Sequence, residues 1–116
     1  MPYIEQEVRR QIQHGAPPLK AGALNYVITK ILIKDGVDRV KIWTEIERYI
    51  RTNRRSYQVF NDIIGVLYAS VYEFYRRTGE DLEDEMRSLI SDFYDSVVAD
   101  YEDDKLKENG DVYPGK

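Results

Sequence analysis

Apolar residues recur along most of this chain at helical spacing. Between Tyr57 and Arg77, the positions Tyr57, Phe60, Ile64, Leu67, Val71 and Phe74 follow one another at steps of three and four. That spacing puts one apolar stripe on a helix of about six turns. Gly79 is placed to end it, because glycine accepts the left-handed backbone of a helix C-cap. Arg76 and Arg77 fall in its last turn, where cations suit the negative end of the helix dipole. Ser56 is the candidate N-cap.

The same pattern predicts the neighbouring elements. Residues 4–14 form a short amphipathic segment with Ile4, Val8 and Ile12 spaced by four, and Pro17-Pro18 blocks its continuation. A second helix runs from about Ala21 to Lys34 with Leu24, Ile28, Ile31 and Leu32 on its core face, and Asp35-Gly36 ends it. A third runs from about Asp38 to Arg51, with Val40, Trp43, Ile46, Tyr49 and Ile50 inward and Trp43 as a core anchor. The fifth starts near Asp81 and reaches about Lys107, with Met86, Leu89, Ile90, Phe93, Val97 and Tyr101 as its apolar face. No stretch alternates at strand period between turn signals. The fold class is therefore all-α: a small helical bundle of four main helices plus a short N-terminal helix. Residues 1–108 make one domain and residues 109–116 a flexible C-terminal tail.

Two internal echoes appear. Leu24-Asn25-Tyr26-Val27-Ile28-Thr29 resembles Phe60-Asn61-Asp62-Ile63-Ile64-Gly65, and Phe74-Tyr75-Arg76-Arg77 resembles Phe93-Tyr94-Asp95-Ser96. Asn25 and Asn61 sit at the edges of apolar stripes, so both amides are expected to be buried and hydrogen-bonded, fixing the packing register.

Charge changes the picture more than composition does. The net charge is -4, yet residues 1–79 carry 13 basic and 8 acidic side chains while residues 80–116 carry 4 and 13. Halves of opposite sign attract each other, within a chain or between copies. Cysteine is absent, so disulfides, thiolate metal sites and thiol nucleophiles are excluded. No run approaches the roughly 18 apolar residues of a membrane span. The Met1–Glu7 segment lacks the basic and apolar regions of a signal peptide, and a cytoplasmic location is the expectation.

Four segments resemble a small family of uncharacterised proteins of bacteriophages and bacteria, a domain of unknown function. They are Met1-Pro2-Tyr3-Ile4, residues 22–29 (GALNYVIT), residues 60–77 (with FNDIIGVL and EFYRR) and residues 101–113 (YEDDKLKENGDVY). The resemblance implies a phage or bacterial-host cytosol and carries no established activity. In that pattern the EFYRR segment passes almost directly into the YED segment. Here about one helix, Thr78 to about Ala99, lies between them.

Candidate chemistry is sparse. Glu80, Asp81 and Asp84 followed by Asp92 and Asp95 loosely match the carboxylate motifs of magnesium-dependent, all-helical nucleotide pyrophosphohydrolases. On one helix, however, Asp84 and Asp92 stand about 12 Å apart, too far to share an ion with ligand distances of about 2.1 Å. His14 is the only histidine, beside Gly15 at a helix end, and no glycine-rich phosphate loop occurs. No catalytic residue, metal site or cofactor is predicted.

Arg48, Arg51, Arg54 and Arg55 form a basic patch, with Tyr49 and Tyr57 near enough to stack on bases. A sequence pI near 5.0 argues against a nucleic-acid binder. Tyrosine is the over-used residue, with 10 in 116. Tyr68, Tyr72 and Tyr75 make a second stripe on the fourth helix, and Phe93, Tyr94 and Tyr101 add aromatics on the fifth. Tyrosine buries a ring while keeping a hydroxyl for a partner, so interfaces use it heavily. The expected function is a non-enzymatic interaction module that self-associates and possesses the surface to hold a host or phage protein. A nucleic-acid-associated regulator using Arg48 to Arg55 is the alternative, and a magnesium-dependent, all-helical nucleotide pyrophosphohydrolase ranks third.

Overall fold

The structure is a computed structural model that describes residues 6–15 and 17–108. The Met1-Pro2-Tyr3-Ile4 segment and the expected tail, residues 109–116, lie outside the described residues. Helix α1 spans Gln6–Gln13, α2 Ala21–Asp35, α3 Arg39–Asn53 and α4 Tyr57–Thr78. Helix α5, Glu83–Phe93, continues through a π turn, Tyr94–Val98, into α6, Ala99–Glu108. Among the described residues there is no strand.

Local chemistry sets the helix ends. The Asp38 carboxylate accepts from the Lys41 amide and the Ser56 hydroxyl from the Val59 amide, each at 3.1 Å. Each satisfies one of the donors a helix start leaves open. Gly79 closes α4 at φ 77°, its amide donating to Tyr75 O. That left-handed backbone strains any residue with a Cβ.

Helix α4 packs most extensively on α2 and also meets α3 and α5. Lys41 Nζ reaches Asp35 at 2.8 Å while Asn53 donates to Leu19 O at 3.2 Å, so α2 and α3 run in opposite directions. The core joins Leu24, Ile28 and Leu32 of α2, Ile42, Ile46 and Tyr49 of α3, Phe60, Ile63, Leu67 and Phe74 of α4, and Met86, Leu89 and Phe93 of α5. Phe60 is its hinge: edge-to-face contacts reach Phe93 at 5.9 Å and Tyr101 at 5.2 Å between ring centroids. Removing such a ring leaves a cavity and costs about 3–5 kcal/mol.

Several inward positions are corrected. Val40 is 77 % exposed. The buried row of α3 is Ile42, Ile46 and Tyr49, and Val40 stands about 200° around the helix from Ile42. Trp43 is half-buried, tilted against Phe93 at 5.9 Å. Tyr57 is exposed, and the buried arc of α4 centres instead on Ile63, Leu67, Ser70 and Phe74. On the last helix the π turn admits one extra residue, so Val98 rather than Val97 follows Phe93 into the core.

Candidate interaction surface

The helix that buries Phe60, Leu67 and Phe74 turns its opposite face outward, and that face is aromatic. Tyr68, Tyr72 and Tyr75 are 43, 69 and 52 % exposed. Their spacing of four and three keeps them in one row. Val71, Asp81 and Glu83 join them around a hollow of about 470 Å³ between α4 and the start of α5. Glu83 is itself held by Arg87 at 2.8 Å. The surface thus offers three phenol edges beside carboxylates, a setting suited to a partner with apolar and cationic groups.

A buried clamp fixes the C-terminal end of this row. Glu73, 4 % exposed, accepts from Arg76 Nη2 at 2.7 Å and from Arg77 Nε at 2.9 Å. Hydrogen bonds from Arg76 and then Arg77 overcome the cost of its burial and pull the Glu73 carboxyl down to about 2. Sequence reasoning missed Glu73, although an acid three and four residues before two arginines is a readable helix-pair signal.

The other expected contact residues divide. Tyr94 is exposed. Phe93 and Tyr101 are buried and unavailable to a partner: Phe93 packs between Trp43 and Phe60, and Tyr101 against Tyr57 and Phe60. Tyr57, placed inward by its periodicity, adds an exposed ring at the N-terminal end of α4, and desolvation followed by the charge of Glu102 raises its phenol above the usual range.

The asparagines also part company. Asn25 is buried and donates to Ser70 Oγ at 3.1 Å. Asn61 is exposed, which corrects its expected burial: it lies on the row of Tyr57, Gly65 and Tyr68 that faces away from α2. The arginines do not act as four convergent cations. Arg48 pairs with Glu45 at 3.1 Å and donates to Gly15 O at 2.7 Å, and Arg55 pairs with Asp104 at 2.9 Å above the Tyr101 ring. Arg51 and Arg54 are exposed. Asp84 is exposed and Asp92 bonds Arg39, and among the described residues no three acidic or histidine side chains gather to hold a metal ion.

A second hollow, of about 620 Å³, lies along α1 and α2, lined by Ile12, Val27 and Ile31 with Lys30 and Lys34. Periodicity could not reveal it, because it depends on how α1 lies over α2. No helix among the described residues is long and apolar enough to cross a membrane.

A family model described as Domain of unknown function (DUF6899) matches residues 1–89. The match takes in the GALNYVIT and EFYRR segments and ends before the YED segment. No curated protein and no solved structure gives a significant match.

Proposed function

We propose that this chain, which belongs to the DUF6899 family through residues 1–89, is a non-enzymatic helical-bundle module that self-associates through the outward face of α4. The observation that carries the reading is the row of Tyr68, Tyr72 and Tyr75, three large rings left in solvent on one helix face. Exposed aromatic rows of this kind mark contact sites more often than they mark ordinary surface. The resemblance of the GALNYVIT and EFYRR segments supports a phage or bacterial-host cytosol as its setting, with a host or phage protein as a further partner. The nucleic-acid alternative is the weaker of the two. Arg48 and Arg55 are engaged within the chain, which leaves Arg51 and Arg54 as its main phosphate contacts, and two contacts give poor affinity at moderate salt.

The test is Tyr72→Asp examined by light scattering at about 10 µM, the range in which a modest interface associates. Tyr72 touches little within its own chain, so the variant is expected to keep its circular dichroism and lose the dimer. A dimer unaffected by this charge would remove the tyrosine row from the function.

A further inference from the structure

We propose that the hollow between α1 and α2 binds a long-chain carboxylate, its hydrocarbon lying over Ile12, Val27 and Ile31 and its head group held by Lys30 and Lys34. The hollow shares no lining residue with the one beside the tyrosine row, so its occupancy is independent of self-association. It measures about 620 Å³, and small-molecule sites run from roughly 300 to 1,000 Å³.

The walls are held in place. Gln13 of α1 donates to the Tyr26 hydroxyl of α2 at 3.4 Å. Arg9 of α1 lies 5.5 Å from the Tyr26 ring centroid and Lys30 lies 5.3 Å from it. Arg48 of α3 fixes the end of α1 by donating to Gly15 O at 2.7 Å. Between these ties the floor is apolar. Ile12, Val27 and Ile31 are each half-buried, and Ile33 is 48 % exposed at the far end. From Val27 to Lys34 the floor extends about 11 Å along α2, close to the span of a hydrocarbon chain of about ten carbons.

Charge decides what sits there. Among the described residues the hollow is lined by four cations, Lys30, Lys34, Lys41 and Arg77, against one carboxylate, Asp35. Asp35 is taken by Lys41 at 2.8 Å, and Arg77 is held by Glu73 at 2.9 Å. Lys30 and Lys34 have no carboxylate partner among the described residues. They stand one turn apart in the row that starts at Tyr26, beside the row of Val27 and Ile31. Like charges at that spacing weaken a helix, and an anion between them removes the penalty. Their stems lie along apolar surface while the ammonium heads stay at its edge. An apolar floor with two unpaired ammonium groups on one side matches a molecule with a long apolar body and a single anionic head. A cationic or uncharged amphiphile meets the same floor and the wrong rim.

Calorimetric titration of the full chain with sodium laurate, kept below its micelle concentration, tests the site. One laurate per chain is expected, with a dissociation constant of about 10–100 µM. Dodecyltrimethylammonium, with the same tail and the opposite charge, is expected to bind at least about tenfold more weakly, and acetate, a head without a tail, to give no heat. Lys30→Gln combined with Lys34→Gln changes two exposed residues, so circular dichroism is expected to stay and laurate affinity to fall at least about tenfold. Arg51→Gln combined with Arg54→Gln, on α3 and just after it, is expected to leave laurate binding unchanged. No saturable uptake of laurate, equal affinity for the two amphiphiles, or equal loss in the two double variants overturns the site. A salt-sensitive oligomer that takes up no laurate and is lost in the lysine variant assigns the groove to an acidic protein surface, and equally overturns it.

Discussion

Asn25 of α2 donates its side-chain amide to the hydroxyl of Ser70 of α4 at 3.1 Å, inside the most extensive helix contact of the fold. Both groups are buried, so the bond satisfies the Asn25 amide N–H and the Ser70 oxygen where water cannot, while Asn25 Oδ1 is buried with no partner among the described residues. Asn25→Ala is expected to cost about 1–3 kcal/mol, because it also strands the Ser70 hydroxyl. Ser70→Ala added to it should cost less than the sum of the two single changes. Urea unfolding of the four proteins of this cycle checks it, and strict additivity would contradict the pairing.

One turn further on, the Thr29 hydroxyl is buried with no hydrogen-bond partner among the described residues. Replacing it by the similarly shaped valine removes an unmet polar group. Thr29→Val is expected to stabilise the protein by about 1 kcal/mol, read as a higher urea midpoint. A loss of stability would show that the hydroxyl is satisfied in solution.

These two positions show how far local sequence reaches. The ends of α4 were legible because Ser56 and Gly79 act on their own neighbours. Asn25 and Asn61 share the same local pattern yet differ in environment, because burial is decided by what packs against a helix and α2 covers only one side of α4. Likewise the spacing of Phe93, Val97 and Tyr101 reads as an ordinary helix, and only the π turn moves Val98 inward in place of Val97. The row of Tyr68, Tyr72 and Tyr75 was legible as a stripe. Phe93 and Tyr101 were legible on the apolar face of the fifth helix, but that they meet Phe60 within the chain rather than a partner was not, since it depends on how the helices pack.

The Glu73 clamp ties stability to acid pH. Its folded value of about 2 lies below the ordinary 4.5, so the folded state favours the ionised carboxylate. Its contribution is fully present above pH 4.5 and is lost as pH falls toward 2. The stability difference between wild type and Glu73→Gln is therefore expected to be large above pH 4.5 and to shrink near pH 2. Urea unfolding at the two ends of that window measures it, and a difference independent of pH would contradict the clamp.

The π turn makes a prediction about length. Deleting Ser96, an exposed residue within it, restores four-residue spacing between Phe93 and Val98. The helix can then close as an ordinary α-helix with the same residues inward, and stability is expected to change by less than about 1 kcal/mol. Deleting the exposed Ser88 instead turns one side of α5 by about 100° and takes Met86 or Leu89 out of the core, at a cost above about 3 kcal/mol. Thermal unfolding compares the two, and equal losses would show that the π turn carries no spare residue.

Self-association through α4 is the central claim, and burial of the tyrosine rings would supply most of its affinity. Ion pairs at the rim orient such a contact more than they hold it, and salt screens them. Sedimentation equilibrium of the wild-type protein, from about 1 to 100 µM at about 0.15 M and 1 M salt, separates these contributions. The predicted result is a mass that rises with concentration toward twice the 13.7 kDa chain and survives high salt. A single 13.7 kDa species across the whole range at both salts would contradict it.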